Sequence, residues 1–299
     1  MIKKSDLALT PGMRLTLLLC IFIVCYIISV LCVQLTMHLC GTDIAAAMRI
    51  GAVIQDVVSF IIPAIATTMI ITRKPAELLC LSRGNSSAAA YIYIPLILLV
   101  SIPAQEAVIY WNEHITLPES MDALAASLRA MEEASAKAMQ SILSDTSVPA
   151  LIINILIIGI AAGFSEELLF RGAFQRLLTT GGVNPHIAVW TVAAVFSALH
   201  MQFFGFVPRM LLGAWFGYIL LWSGSIWMPM FAHALNNTLF IVTSWYRLRT
   251  NPDLGFSDEA TLMPAIDIFA SVLLTAFAIA AMSRYLAKRK NKTSATNSL

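Results

Sequence analysis

Charged residues are scarce in this sequence, which holds 19 lysines and arginines and 17 aspartates and glutamates among its 299 residues. They make up 12% of the chain, about half of the share in soluble domains, whereas 59% of the residues are apolar. This balance excludes an ordinary water-soluble globule and a disordered chain. The net charge of +2 leaves no large basic surface for nucleic acid.

Paired cysteines and the short signatures of common metal sites are also missing. The five cysteines form no CxxC pair, and three lie in the first apolar run, so we interpret them as lipid-facing or packed residues. The HExxH signature of zinc proteases is absent. We find no internal repeat and no soluble domain.

Long uncharged runs predict an all-α membrane protein, a polytopic bundle of about eight transmembrane helices of roughly 20 residues each. The first run is too long for a cleaved signal peptide. The 37 uncharged residues between Arg209 and Arg247 divide into two helices at Ser223, Gly224 and Ser225. The predicted spans are Leu15–Met37, Ile50–Thr72, Ala88–Trp111, a fourth from Val148 to a polar end at Arg171 and Arg176, His186–Phe206, Pro208–Trp222, Ile226–Trp245 and Leu262–Met282.

Eight spans place both ends of the chain on one side of the membrane, and the basic residues indicate which side. Arg73, Lys74 and Arg83 follow the second span, and a basic cluster from Arg284 to Lys292 follows the eighth. The positive-inside rule therefore predicts cytoplasmic termini. The loop Asn112–Ser147 then faces outward. Its acidic balance and apolar spacing predict an amphipathic helix, which is either a packed loop helix or a substrate gate.

Ionisable groups inside a membrane are costly, so each is a candidate functional residue. Asp56, Glu106 and Asp267 lie in predicted spans without an assigned partner. Three polar sets cluster in residues 148–246, which we expect to form a catalytic core of spans four to seven. Residues 1–147 would hold three spans and the outer helix, and residues 247–299 the eighth span and a basic tail.

The first polar set is Glu166, Glu167 and Arg171. Adjacent residues of a helix point about 100° apart, so we expect only one of the two glutamates to face a given site. Arg171 is four residues beyond Glu167, the spacing of a helical ion pair, which leaves Glu166 free to act on something else. An exposed acid pair at a helix end is the alternative interpretation.

Histidines and amides supply the other two sets. Phe196 precedes His200 by about one helical turn and could stack against it. His233 and Asn237 share one face of span seven, with Asn236 as a nearby second choice. Each of these sets alone is also typical of packing or of an interhelical hydrogen bond.

The depth of the three sets in the membrane links them. At about 1.5 Å per residue, Glu166, His200 and His233 lie roughly 18, 21 and 12 Å from the cytoplasmic ends of their helices. We therefore expect them to meet in an intramembrane polar cavity. These groups suit activation of water by a carboxylate and hydrolysis of an acyl bond. The alternative is a zinc ion bound by the same three residues.

At these residues the sequence resembles the CAAX-protease and bacteriocin-processing (CPBP) intramembrane endopeptidases, a family that includes the type II CAAX prenyl endopeptidases. The resemblance covers about residues 148–246 and implies eight helices around a conical cavity. The family has three ordered motifs. Glu-Glu-x-x-x-Arg is matched by Glu166, Glu167 and Arg171, Phe-x-x-x-His by Phe196 and His200, and His-x-x-x-Asn by His233 and Asn237.

The resemblance also implies a role for each residue. Glu166, with His200, would activate water, and His233 and Asn237 would form the oxyanion hole. The other motif residues would support the architecture. No cofactor is expected, although zinc is possible. The expected partners are the lipid bilayer and a peptide or membrane-protein substrate in a bacterial cytoplasmic membrane. Eukaryotic members cut the last three residues from prenylated proteins, whereas bacterial members have other substrates or act in bacteriocin immunity.

Two other classes of function stay open from the sequence. A non-proteolytic immunity or binding protein would sequester a peptide or a membrane partner, but it need not retain a full catalytic set. A transporter also buries Glu, His and Asn, although transporters usually show internal repeats and broken helices in both halves. The unassigned Asp56, Glu106 and Asp267 keep the transporter under consideration.

Overall fold

A computed structural model describes residues 9–41, 43–251 and 263–296, and these residues form a helical bundle without strands. Residues 1–8, the predicted start of span eight at Leu262, and residues 297–299 lie outside the described part. The main helices are α1 (Pro11–Cys40), α2 (Ile44–Ile71), α3 (Ala88–Val100), α4 (Ile102–Glu113), α5 (Asp122–Leu143), α6 (Val148–Thr180), α7 (Pro185–Ala198), α8 (Phe206–Ser223), α9 (Trp227–Thr250) and α10 (Ala265–Thr296).

Five helical segments are long and apolar enough to cross a membrane, namely α1, α2, α6, Phe203–Ser223 and Ala265–Lys290. The pair α3 and α4 makes a sixth if the two count as one span bent by 51°. Eight spans are not confirmed, because α7 has only 14 residues and α9, which carries the polar third motif, does not count among the apolar helices. The protein is nevertheless an all-α, multi-pass membrane bundle.

Short polar residues fix where several helices begin. The side chain of Thr10 accepts a hydrogen bond from the backbone of the first turn of α1, and Ser87 and Ser147 do the same for α3 and α6. Gly224 ends α8 in the left-handed conformation, with φ of 65°. The predicted break between spans six and seven is therefore confirmed.

The predicted fifth span is too long. Helix α7 ends at Ala198 instead of continuing to Phe206, and Met201 takes a positive φ of 56° in the turn that follows. The Ser197 hydroxyl donates to the Phe206 carbonyl at 2.6 Å and closes this turn onto the start of α8. His200 therefore lies in a tight turn rather than inside a helix.

Hydrogen bonds join the helices at both ends of the bundle, which we call the upper and the lower end. At the upper end, Arg49 of α2 donates to the Asn154 side chain of α6 at 2.9 Å and to the Ile142 carbonyl of α5 at 3.0 Å. At the lower end, the Asn85 amide before α3 donates to the Ser223 carbonyl of α8 at 2.7 Å. Helix α5 confirms the predicted helix in the long loop, and it is joined to α2 at the upper end.

Helices α6 and α9 pack with their backbones in contact. A Cβ atom on Gly163 would lie 2.7 Å from the Ala234 nitrogen, and one on Gly159 would lie 2.7 Å from the Thr238 hydroxyl. Only small residues spaced four apart allow such an approach between membrane helices. This contact brings Glu166, about one turn beyond Gly163, beside His233.

Candidate active site

Glu167 and Arg171 form the ion pair that their spacing predicts. Arg171 Nη1 donates to Glu167 Oε1 at 2.6 Å, and neither side chain is exposed. Arg171 Nη2 donates to the Gly213 carbonyl of α8 at 2.8 Å. One turn later, Gln175 repeats the pattern by donating to the Gly217 carbonyl at 3.0 Å. The first motif therefore fastens α6 to α8.

His233 lies between the two glutamates. Its Nδ1 donates to Glu167 Oε1 at 2.9 Å, while its Nε2 lies 3.8 Å from Glu166 Oε2. The expectation that only one glutamate can face a given site is therefore wrong. The physical reason is that an imidazole has two nitrogens on different sides of its ring and can reach both neighbours.

One carboxylate oxygen of Glu166 accepts no hydrogen bond from the residues that the structure describes. Its side chain is 13% exposed, and Oε2 is buried without a hydrogen-bond partner among the described residues. Glu167 is engaged more fully, because its Oε1 is bound by both Arg171 and His233. Glu167 Oε2 is likewise buried without a partner among the described residues, but the Glu167 side chain is 0% exposed, so Glu166 is the more accessible of the two glutamates for a water molecule or a substrate group.

Phe196 connects the two histidines of the motifs. Its ring lies edge-on to His200, with centroids 5.0 Å apart, and edge-on to His233, with centroids 5.7 Å apart. His200 Nδ1 lies 2.9 Å from the Phe196 carbonyl. Because a carbonyl only accepts hydrogen bonds, Nδ1 carries the hydrogen, and Nε2 of the neutral ring is left as an acceptor. The predicted contact between Phe196 and His200 is present, but the rings meet edge-on rather than stacked.

Aromatic rings enclose His233. Phe216 of α8 stacks on its imidazole at 4.9 Å with an interplanar angle of 22°. The Arg171 guanidinium lies 4.6 Å from the Phe196 ring centroid and 5.5 Å from that of Phe216. No motif in the sequence marks Phe216, because an aromatic residue in an apolar helix resembles any other packing residue.

Asn237 points toward α6 from the same helix as His233. Its Nδ2 donates to the Ile158 carbonyl at 3.3 Å, and its Oδ1 accepts from Asn236 Nδ2 at 3.4 Å. An amide carries two N–H groups, so one contact does not exhaust its donors. The structure thus places both predicted members of the third motif on the side of α9 that meets α6.

Asp56 belongs to the candidate active site, although none of the three sequence motifs includes it. Its Oδ1 accepts from Ser165 at 2.8 Å, and it interacts electrostatically with Glu166 and His233. It lies in a π-helical turn, Asp56–Ile61, a feature common at functional sites. Asp56 therefore has neighbours that the sequence could not assign. Of the other two unassigned acids, Glu106 lies in α4 and Asp267 in the first turn of α10.

Arg209 is a second missed residue, and it lies near the start of α8 at the upper end. It interacts electrostatically with Glu166 and with His200. It also interacts with Glu132 of α5, whose Oε2 accepts a hydrogen bond from the Phe204 amide at 3.3 Å. In the sequence, Arg209 marks only the boundary of an uncharged run, and it belongs to none of the three motifs.

A zinc ion does not fit the observed positions. Among the residues that the structure describes, no group of three His, Cys, Asp or Glu side chains is placed to hold a metal ion. The Nδ1 atoms of His200 and His233 have protein acceptors, as in many metal-binding histidines. Even so, these two rings and Glu166 do not form a ligand set.

The same part of the chain matches a known family. Residues 148–239 match the model described as "Type II CAAX prenyl endopeptidase Rce1-like". This match confirms the resemblance seen in the three motifs and supports a membrane protease.

A further similarity is to the uncharacterized protein YpbD of Bacillus subtilis (strain 168), with 30% identity over 105 residues. That alignment covers 34% of this chain and 49% of YpbD, so the chain spans about half of the length of this relative. No solved structure matches.

Proposed function

We propose that this membrane protein is an endopeptidase that hydrolyses a peptide bond near or within the bilayer with a water molecule activated by Glu166. The observation that carries the proposal is the pairing around His233. Glu167 is 0% exposed and its Oε1 is bound by Arg171 and His233, whereas Glu166 faces the same ring, is 13% exposed and has no ion pair with Arg171. All four residues lie in the segment that matches the endopeptidase family.

The chemistry begins with proton transfer from water. Glu166 takes a proton as the water oxygen attacks the carbonyl carbon of the scissile bond. His200 assists from Nε2, which accepts a hydrogen bond from the same water. Glu166 then gives the proton to the leaving nitrogen, and the carbon–nitrogen bond breaks. Because water is the nucleophile, no covalent enzyme intermediate is needed.

The negative oxygen of the tetrahedral intermediate needs hydrogen-bond donors. His233 and Asn237 supply them in this proposal. In this role the His233 ring carries a hydrogen on each nitrogen, so that Nδ1 donates to Glu167 Oε1 and Nε2 donates to the negative oxygen. Glu167 and Arg171 act through this contact, because together they hold the imidazole in place and compensate its charge.

The protein would lie in a bacterial cytoplasmic membrane with its lower end facing the cytoplasm. Arg73, Lys74 and Arg83 follow α2 at this end, and Arg289 of α10 donates to the Asn85 carbonyl there at 3.1 Å. The upper end, with α5 across it, would face outward. A peptide or a membrane protein would then be the substrate.

The proposal is tested by searching membranes for new peptide ends. Cells expressing the wild-type chain are compared with cells expressing Glu166→Gln at equal abundance, and the termini of membrane proteins are identified by mass spectrometry. We expect termini that appear only with the wild-type chain. Identical sets of termini, in membranes where both proteins are folded, would contradict the proposal.

A further inference from the structure

The positively charged side chain of Arg209 has a nitrogen without a hydrogen-bond acceptor among the described residues. A guanidinium stays protonated in proteins and offers five N–H donors. Nη2 donates to Gln202 Oε1, but Nη1 is buried without a hydrogen-bond partner among the described residues. A buried N–H donor on a half-buried cation is unfavourable without an acceptor unless a ligand pairs with it.

The surroundings of Arg209 come from three separate elements. Glu166 of α6, His200 after α7 and Glu132 of α5 all interact with it electrostatically. The Arg209 guanidinium therefore lies between the candidate catalytic groups, Glu166 and His200, and helix α5 at the upper end.

Neither Glu166 nor Glu132 serves only to balance the charge of Arg209. Glu166 is needed as a proton acceptor in the proposed reaction. Glu132 Oε2 accepts its hydrogen bond from the Phe204 amide, and burial raises the pKa of Glu132 above its usual range. A planar guanidinium with free N–H groups binds carboxylates particularly well, because the two groups match in geometry and charge.

We propose that Arg209 is a specificity-determining residue that binds a carboxylate of the peptide substrate beside Glu166. The carboxylate is either the free C-terminus or an Asp or Glu side chain, and Glu132 balances the charge of Arg209 when no substrate is bound. This inference rests on the proposed peptidase function. It adds a selection for anionic peptides that the three motifs do not encode.

The test compares matched peptides on the purified full chain in detergent. One reporter peptide ends in a free carboxylate, a second ends in an amide, and a third is the amide with an internal Gln replaced by Glu. We expect the wild-type chain to prefer one carboxylate peptide over the plain amide by about 10- to 100-fold in kcat/KM, mainly through KM. The preferred peptide tells the two sources of the carboxylate apart.

Variants then assign this preference to Arg209. Arg209→Gln should lower the carboxylate-to-amide ratio to about one, and Arg209→Lys should keep part of it. Arg129→Gln is the matched control. It removes the same charge from an exposed side chain that lies 4.5 Å from the Phe204 ring, and it should keep the full ratio.

A binding measurement separates failure of this inference from failure of the proposed function. Fluorescently labelled peptides are titrated into wild-type and Glu166→Gln protein, whether or not cleavage is observed. Glu166-dependent cleavage with no carboxylate preference would overturn the role of Arg209 and leave the peptidase intact. If no peptide is cleaved, the peptidase proposal fails, and equal Kd values for acid and amide peptides would also overturn the role of Arg209.

A second variant keeps the test decisive if Arg209→Gln does not fold. Glu132→Gln removes the competing carboxylate from α5. It should lower the Kd of the carboxylate peptide several-fold without changing that of the amide. An unchanged or higher Kd for the carboxylate peptide in folded Glu132→Gln would contradict the proposal.

Discussion

The buried ion pair of α6 predicts a large loss of stability when one partner is removed. Arg171→Met keeps the length of the side chain but removes its charge, which leaves the Glu167 carboxylate, which is 0% exposed, without its guanidinium partner. Removing one partner of a buried pair costs about 3–5 kcal/mol. Unfolding free energies are about 5–15 kcal/mol, so we expect a marked fall in folded yield and melting temperature.

Thermal unfolding of purified protein in detergent measures this loss, and Arg176→Met is the matched control. Arg176 lies on the same helix, is half-buried and donates to the Leu78 carbonyl at 3.2 Å. One such bond contributes about 0.5–1.5 kcal/mol, so the control should unfold close to the wild-type temperature.

The double variant Glu167→Gln/Arg171→Met tests the physical cause. It removes both charges, so it should recover part of the stability lost in Arg171→Met, because no uncompensated carboxylate remains. If Arg171→Met is as stable as Arg176→Met, or if the double variant is less stable than Arg171→Met, the reasoning about this pair is refuted.

Three further predictions concern packing, topology and metal. Gly163→Ala should destabilise the protein by about 1–3 kcal/mol in thermal unfolding, because its Cβ would lie 2.7 Å from the Ala234 nitrogen, whereas Gly12→Ala, with open space around it, should not. A reporter fused at Leu299 should be active in the cytoplasm and one inserted near Ala130 outside, and the reverse pattern would overturn the orientation. Purified active protein should work without a transition metal, and stoichiometric zinc whose removal abolishes activity and whose return restores it would refute this.

Much of the fold could be predicted because uncharged runs and helix breakers report on it directly. The presence of α1, although not its bounds, and the break at Gly224 follow from composition and turn chemistry. The early end of α7 could not be predicted, because its sequence stays apolar and the turn is set by tertiary contacts such as that between Ser197 and Phe206. The bend between α3 and α4, in contrast, lies directly before Pro103, so a helix breaker in the sequence accounts for it.

The sequence predicted only some of the contacts in the candidate site. Spacing within one helix predicted the contact between Glu167 and Arg171, which the structure shows. Contacts between helices left no such pattern. The approach of Asp56 to Ser165 joins residues 109 apart, and Arg209 and Phe216 belong to no motif. The reach of His233 to both glutamates depends on the two nitrogens of its ring, which spacing alone does not describe.

The most direct test of the central claim compares Glu166→Gln with Glu167→Gln on one reporter peptide, with turnover normalised to folded protein. Both changes keep the size of the side chain and remove its ability to hold a proton taken from water. We predict that Glu166→Gln folds and loses at least about 10²–10⁴-fold in turnover, the usual contribution of a general base. Glu167→Gln should mainly lower stability. Near-normal turnover by Glu166→Gln, beside a well-folded but inactive Glu167→Gln, would contradict the assignment of Glu166 as the base.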